Sequence, residues 1–314
     1  MDKKVLGIDI GTGVIKIVDG SNCILLDTPD HVFEEEKFIA FDGMSEILKE
    51  AIKEQGIKTK KCAMVIPDNE IYFTRTKMPY MSEKQLLVNL PYELNSVIGK
   101  EKDAYIYDYA VVSYINDEKG NPKEIELLVG AVKKERIELY TEMMKKAGLK
   151  LVRAIPRKIA ISCMLSDKKM GDVAIADIGY KHTRIDMYKD GVFETGRVID
   201  IGISSMVDVA SDVLYCDKHI ALEYLKNNKD DILHNQKMKD VYDSIAIEIM
   251  RAINYYTYEN QENTLDTLYY FGGAYHLTPL IDAIKEAINL KVMPISEDEN
   301  ILNGLLAFGA SEGE

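Results

Sequence analysis

The sequence predicts an α/β fold of two related domains, with a small α/β subdomain inserted into the first. Three observations lead to this fold class. A strand, glycine turn and strand near the N-terminus recur in the second half, strands and helix-like segments alternate in both halves, and residues 70–149 have an α/β pattern of their own. A pattern repeated together with its flanking strands indicates a domain duplicated within one chain.

The first hairpin is predicted over residues 5–20. Val5–Ile10 and Val14–Val18 are rich in β-branched residues, and Gly11-Thr12-Gly13 lies between them. Such runs on either side of a glycine turn predict a β-hairpin, and not a strand followed by a helix. Lys16 stands where a dinucleotide fingerprint has its third glycine, so a Rossmann phosphate site is excluded. No G-x-x-x-x-G-K-[ST] occurs either, which excludes a P-loop.

The second hairpin repeats the first at matching spacing. Ala176-Asp177-Ile178-Gly179 echoes Ile8-Asp9-Ile10-Gly11, and Arg184-Ile185 echoes Lys16-Ile17. Both hairpins then run to an Asp-Gly turn. Because the match includes both strands and the closing turn, it predicts a duplicated domain.

The remaining elements follow from periodicity and turn residues. The predicted helices cover 44–55, 205–215, 217–227 and 241–259, and the predicted strands cover 61–66, 105–114, 125–132 and 267–271. Ser82 with Gln85 predicts a capped helix that Pro91 interrupts. Thr278-Pro279 predicts an N-cap with a first-turn proline.

The predicted domain limits are 1–169 for the first domain and 170–314 for the second. The inserted subdomain covers about 70–149 and includes a helix that Gly148 ends. A final helix near 301–310 is expected to return to the first domain.

Composition excludes several functional classes. Thirty-nine Lys+Arg against 52 Asp+Glu give a net charge of −13. An acidic chain repels nucleic-acid backbones unless basic residues cluster on it, so no nucleic-acid partner is expected. Four cysteines without C-x-x-C spacing fit a reducing cytosol. No stretch approaches the roughly 18 apolar residues of a membrane span, so we expect a cytoplasmic protein without direct membrane insertion.

The glycine turns favour an anion site. A Gly-Thr-Gly turn presents backbone N–H groups with no side chain in the way, which suits a phosphate. Asp9 precedes the turn and can hold Mg²⁺, which takes one or two carboxylates beside phosphate oxygens. Lys16 can reach a phosphate with its ammonium group. Each hairpin alone is more often an ordinary turn, but the presence of two favours a shared site.

The second hairpin supplies the same residue types. Asp177, Gly179 and Thr183 correspond to the first set, with Asp177 as the second candidate metal ligand. Two hairpins could thus hold one triphosphate between them. Gly272-Gly273-Ala274 adds a glycine-rich turn between a strand and a helix, which is also compatible with a nucleotide.

These three motifs resemble those of the actin-like (RNase H-like) ATPases, a superfamily that includes sugar kinases and DnaK-type chaperones. Val5–Val18 resembles the first phosphate motif, Val173–Asp186 the second and Tyr270–Ala274 the adenosine motif. Over essentially the whole chain, the sequence is most similar to the PilM family of type IV pilus assembly. The supporting segments are Val65-Ile66-Pro67, Phe73-Thr74-Arg75, Leu128–Glu135, Lys146–Leu149, Leu222–Lys226 and Glu248–Arg251.

The resemblance implies that Mg²⁺ and ATP are the cofactors. It places Glu223 and Lys226 beside the adenosine, with Gly272, Gly273 and Ala274 under the base and α-phosphate. Spacing alone favours another reading of Glu223 and Lys226, a solvated ion pair three residues apart on a helix.

The resemblance also implies a partner and a place of action. The partner is the cytoplasmic N-terminal tail of a PilN-like membrane protein, held in a groove by the inserted subdomain. This tail would recruit the chain to the inner face of the membrane, where it could also meet other pilus assembly proteins or a second copy of itself.

Two alternatives share the phosphate hairpins. A division adaptor of the FtsA type has the same insertion but ends in a basic amphipathic helix, whereas this sequence ends in Ala310-Ser311-Glu312-Gly313-Glu314. A small-molecule kinase needs an aspartate base and a substrate-binding insertion, neither of which is evident.

The sequence leaves open whether the protein hydrolyses ATP. Superfamily members that hydrolyse ATP briskly have a glutamine or acidic residue near the place of Pro156-Arg157-Lys158 or in the second hairpin. Here the first place is basic and the second is Tyr180-Lys181-His182. At most, slow ATP hydrolysis is expected.

Overall fold

The computed structural model describes residues 4–34, 37–165 and 171–313. The strands are β1 Leu6–Ile10, β2 Val14–Asp19, β3 Asn22–Asp27, β4 Phe33–Glu34, β5 Lys37–Phe38, β6 Lys61–Ile66, β7 Ile71–Pro79, β8 Tyr105–Asn116, β9 Pro122–Lys133, β10 Lys150–Pro156, β11 Asp172–Ile178, β12 Thr183–Lys189, β13 Val192–Ile199, β14 Thr267–Phe271 and β15 Lys291–Pro294. The helices are α1 Phe41–Glu54, α2 Glu83–Glu93, α3 Asn95–Ile98, α4 Lys134–Lys146, α5 Arg157–Leu165, α6 Ile203–Leu214, α7 Lys218–Lys226, α8 Gln236–Glu259, α9 Thr278–Ala287 and α10 Glu299–Glu312, with short 3₁₀ segments at Asp68–Glu70, Gly99–Ala104 and Lys229–His234. Among these residues, no helix combines the length and apolar character needed to cross a bilayer.

Two five-stranded sheets have the same strand order and direction. The first runs β10-β6-β1-β2-β3 and the second β15-β14-β11-β12-β13. In each, a central strand (β1 or β11) pairs antiparallel with the next strand and parallel with a later one. This equivalence confirms the predicted duplication and both predicted hairpins.

Helices cover both sheets in layers. Helices α1 and α4 bury their apolar faces on the outer side of the first sheet. Helices α6, α7, α8 and α9 do the same on the second sheet. Helices α5 and α10 lie between the two sheets, in a core shared with β6, β11 and β14. The apolar contacts of α5 and α10 therefore join the two halves.

The last helix, α10, packs closely on the first sheet and on α5. A Cβ added at Gly309 would overlap the carbonyl oxygen of Ala160 in α5, and one added at Gly7 in β1 would overlap the carbonyl oxygen of Ala307. Only glycine allows this approach of backbones. The chain thus returns from its second half to its first.

The inserted unit is smaller than predicted. Strands β7, β9 and β8 form a separate three-stranded sheet, and α2 and α3 pack on it through Leu86, Leu90 and Ile98. The following helix α4 instead buries Tyr140 and Met144 in the core of the first sheet. The separate sheet with its helices therefore lies within residues 71–133, and the limit of 149 extends too far. The expected domain boundary at 169/170 falls outside the described residues.

Two local predictions are wrong. Helix α2 continues through Pro91 and breaks only at Leu94, which has φ −87° and ψ 4°. The proline removes one backbone hydrogen bond without ending the helix, because Leu86, Leu90 and Leu94 remain packed on the sheet. Thr278 is the first residue of α9 and not its N-cap, which is Leu277.

Two glycine-to-alanine changes test the packing of α10. We expect Gly309→Ala to lower the free energy of unfolding by about 1–3 kcal/mol, because the new methyl group overlaps the backbone of Ala160. Gly43→Ala in α1 is the matched control, since a Cβ there meets no atom within 4 Å. Alanine favours helix, so the control should be neutral or stabilising by up to about 1 kcal/mol. Chemical denaturation measures both, and equal effects would contradict the packing described.

Candidate functional site

A cleft of about 740 Å³ lies between the two sheets. Its walls are the turns of both hairpins, the turn after β14, and parts of α7 and α10. The duplication places equivalent strand ends opposite each other, so the cleft forms where the two halves face.

The turn of the first hairpin is held by Thr28. The Thr28 hydroxyl donates to the Gly11 carbonyl oxygen at 2.7 Å, and its N–H donates to the Gly13 carbonyl oxygen at 3.0 Å. The Gly11 N–H donates to Val14 within the turn at 3.1 Å. Within the described part of the chain, no hydrogen bond uses the N–H groups of Thr12 and Gly13. Those donors are available to an anion in the cleft.

Asp9 and Lys16 face each other across this hairpin. They are opposite in the strand register, and Lys16 Nζ lies 3.0 Å from Asp9 Oδ2. Burial lowers the pKa of Lys16, but the carboxylates of Asp9 and Asp177 outweigh it, so the pKa is raised. Lys16 therefore carries a positive charge into the cleft at neutral pH.

The turn of the second hairpin closes against the first. The Gly179 N–H donates to the His182 carbonyl oxygen at 3.0 Å. The N–H groups of Ile203 and Ser204, at the start of α6, donate to the carbonyl oxygens of Gly179 and Tyr180 at 3.1 and 2.7 Å. A Cβ on Gly13 would lie 2.7 Å from the Tyr180 side chain, so the two turns touch.

Arg157 lies at the base of the cleft with its side chain only 6% exposed. Its Nε donates to Asp177 Oδ2 at 3.2 Å, and its Nη1 donates to Asp186. Burial opposes the charge, but Asp186 and Asp177 raise the pKa of Arg157 above its ordinary value. Nearby, Arg184 of β12 pairs with Asp68 at 3.2 Å. In these ion pairs, Arg157 and Asp68 of the first half of the chain bind residues of β11 and β12 in the second half.

Gly272, which follows β14, passes close to the second hairpin. Its φ is +99°, and a Cβ there would lie 2.7 Å from the Ile178 carbonyl oxygen and 2.8 Å from Asp177 Oδ1. Both features require glycine. The turn therefore brings backbone to the cleft without a side chain.

The family model of type IV pilus assembly protein PilM matches residues 7–302. The chain belongs to the PilM family. This membership favours pilus assembly over the division-adaptor and kinase alternatives.

Several solved structures have a similar fold. A PilM-PilN type IV pilus biogenesis complex has a TM-score of 0.81 at 15% identity, covering 98% of this chain and 97% of that one. The ethanolamine utilization protein EutJ from Carboxydothermus hydrogenoformans has a TM-score of 0.61 at 16% identity, covering 98% and 90%. The archaeal actin homolog Ta0583, in complex with ADP, has a TM-score of 0.55 at 12% identity, covering 98% of each chain. The actin-like fold predicted from the sequence is thus confirmed.

Most of the predicted site residues of this PilM-family chain lie together. Ten of the thirteen line the cleft: Asp9, Gly11, Thr12, Gly13, Lys16, Asp177, Gly179, Lys226, Gly272 and Gly273. Their spacing in sequence runs over more than 250 residues, so the fold alone brings them together.

Three predicted residues do not line the cleft. Thr183 is buried, and its hydroxyl donates to the Ile201 carbonyl oxygen at 2.9 Å. Ala274 is buried in the core of the second sheet. Glu223 has a side chain that is 60% exposed and pairs with Lys226 at 2.7 Å, the ion pair that spacing alone favoured.

Arg157 and His276 are two of the cleft residues that the sequence did not predict. Arg157 was noted only as a basic residue, and its burial between two carboxylates has no signal in the local sequence. His276 lies in the turn after Gly273, where burial and Lys226 lower its pKa and keep the imidazole neutral at pH 7. Its position just after the double glycine was the available clue.

Proposed function

We propose that this chain binds ATP with Mg²⁺ in the cleft and acts as a nucleotide-dependent scaffold of the type IV pilus machine. One observation carries the proposal: the Gly11–Gly13 turn, with unused N–H donors at Thr12 and Gly13, lines with the Gly179 turn a cleft that also holds Lys16 and Arg157. Backbone donors combined with fixed cations are the usual means of holding a polyphosphate. The structure of Ta0583 with ADP supports it through likeness of fold.

The cleft residues suggest how ATP would lie. The N–H groups of Thr12 and Gly13 would donate to phosphate oxygens, with Lys16 beside them. Gly272 and Gly273 would allow the α-phosphate and ribose to approach the backbone. The end of the cleft near Leu222, Leu225 and the neutral ring of His276 is apolar enough for a base.

Mg²⁺ fits this donor set only together with the phosphates. No group of three or more His, Cys, Asp or Glu side chains in the described residues is arranged to hold a metal. Asp9 and Asp177 each already accept from a cation, Lys16 and Arg157. Mg²⁺ typically keeps several waters and needs one or two carboxylates, so Asp9 and Asp177 would hold it beside ATP. Bound there, it would neutralise phosphate charge.

If Asp9 holds Mg²⁺, its replacement should lower the affinity for ATP mainly when Mg²⁺ is present. Asp9→Asn should weaken binding of ATP about tenfold or more in Mg²⁺ and much less in EDTA, because the amide is a poor Mg²⁺ ligand. Asp190→Asn, in the exposed turn between β12 and β13, removes the same charge away from the cleft and should change neither affinity. Calorimetry measures both. Equal affinities for the wild type and Asp9→Asn in Mg²⁺ would reject the metal assignment.

Arg157 also bears on hydrolysis. It holds its proton at all ordinary pH values, so it cannot serve as a general base for an attacking water. We expect steady-state turnover below the roughly 1–100 s⁻¹ typical of kinases. A phosphate-release assay tests this. Turnover in the kinase range that Asp9→Asn abolishes would show that another group activates water.

A second groove, of about 350 Å³, fits the proposed partner. It lies between the inserted sheet and α4, and its lining is Ile106, Lys134, Ile137, Glu138, Thr141 and Glu142. Among the strands of the described residues, β8 pairs only with β9, so its other edge is open to an extended peptide. A chain segment there gains main-chain hydrogen bonds and an apolar contact with Ile137.

We infer that the cytoplasmic tail of a PilN-like membrane protein binds this groove and recruits the chain to the membrane. The structural likeness to PilM in a complex with PilN supports this partner. Expected contacts with other pilus proteins or with a second copy stay predictions.

A single charge in the groove tests the partner site. Ile137→Glu should weaken binding of a peptide copied from the cognate PilN-like tail at least tenfold, because it buries a carboxylate under the peptide. Val88→Glu, on the outer face of α2 and 66% exposed, places the same group outside the groove. Fluorescence anisotropy with a labelled peptide compares them. Loss of binding in both variants, or in neither, would place the tail elsewhere.

A further inference from the structure

We infer that Arg157 contacts the terminal phosphate of a nucleoside triphosphate and makes the cleft discriminate triphosphate from diphosphate. The inference rests on the proposed function, since it concerns the same cleft. It adds a residue and a selectivity that the glycine motifs do not supply.

One nitrogen of Arg157 has no acceptor. Nε donates to Asp177 and Nη1 donates to Asp186, but Nη2 is buried and has no hydrogen-bond partner within the described residues. The guanidinium group only donates, and leaving such a charged donor without an acceptor is unfavourable. Arg157 lines the cleft, so an anionic ligand there can supply the missing acceptor.

The location of Arg157 determines which phosphate of the nucleotide it would contact. The Asp177 carboxylate accepts from Arg157 Nε and also raises the pKa of Lys16, so both cations lie around one carboxylate of the cleft. A phosphate held by Lys16 and the Gly11–Gly13 turn is thereby brought next to Arg157. The residues proposed to meet the base, Leu222 and His276, come from other elements, α7 and the turn after β14. The phosphate farthest from the base is therefore the one that Nη2 would contact.

The two carboxylates keep the guanidinium in place. Asp177 and Asp186 hold two edges of the planar group, with side chains that are 12% and 4% exposed. A donor fixed in this way loses little conformational entropy when it binds phosphate. Arg157 is thus a residue that binds the third phosphate and performs no proton transfer.

The test measures Mg·ATP and Mg·ADP affinities of the full chain by calorimetry. The wild type should prefer ATP by about 10–100-fold, the range expected for hydrogen bonds to a charged group. Arg157→Lys keeps the charge but has no planar fork for three acceptors. Its ATP affinity should fall to within about threefold of its ADP affinity, while ADP binding changes little. Circular dichroism establishes that the variant is folded.

Arg153→Lys is the matched control. Arg153 donates to the Ser311 carbonyl oxygen at 2.7 Å and is outside the cleft lining, so the change should preserve the ATP preference. A folded Arg157→Lys protein that keeps the full preference would overturn the inference. Equal affinity of the wild type for ATP and ADP would overturn it even if Arg157→Lys does not fold.

Inorganic phosphate distinguishes a terminal-phosphate site from a general anion site. Phosphate should compete weakly with ATP, and binding of phosphate alone as tight as ATP would overturn the assignment. Absence of binding by either nucleotide would instead reject the proposed function itself. The two failures are therefore separable in one set of titrations.

Discussion

The cleft depends on a buried ion cluster in which Arg157 holds Asp177 and Asp186. Arg157 begins α5, a helix that packs between the sheets, whereas both aspartates belong to the second hairpin. Removing one partner of such a cluster leaves an uncompensated buried charge, at a cost of about 3–5 kcal/mol. The cluster therefore fixes the second hairpin relative to the helix that links the halves. It also sets the electrostatic character of the cleft base.

Duplication explains why a single cleft has two phosphate turns. The two sheets repeat one strand order, and close packing of α5 and α10 between them brings their equivalent ends together. Glycine is required where these elements meet: Gly13 lies against Tyr180, and Gly309 lies against Ala160. The inserted sheet is not part of this duplication. It contacts the second half through Arg75 and Glu194, 3.2 Å apart, and its open edge faces α4.

Much of the fold could be predicted from the sequence because its signals are local. The hairpins, the strand Lys61–Ile66 and the capping box at Ser82 depend on residues close together in the chain. The limit of the inserted unit could not be predicted, because the amphipathic pattern of α4 shows that one face is buried but not against which sheet. The cleft residues likewise divide into those with a local sequence signal and those fixed by tertiary contacts. The glycine turns were evident from spacing, but the inward burial of Thr183 and Ala274 and the pairing of Arg157 arise only from tertiary contacts.

Hydrogen–deuterium exchange with and without Mg·ATP tests the central claim most directly, namely that both hairpin turns and the Gly272-Gly273 turn bind one nucleotide. Backbone N–H groups that donate to phosphate, or that lie under the ligand, exchange more slowly. Addition of ATP should slow exchange in peptides covering 9–16, 177–183 and 272–277. The protection of all three should depend in the same way on ATP concentration. Protection confined to one of these segments, or located outside the cleft, would contradict it.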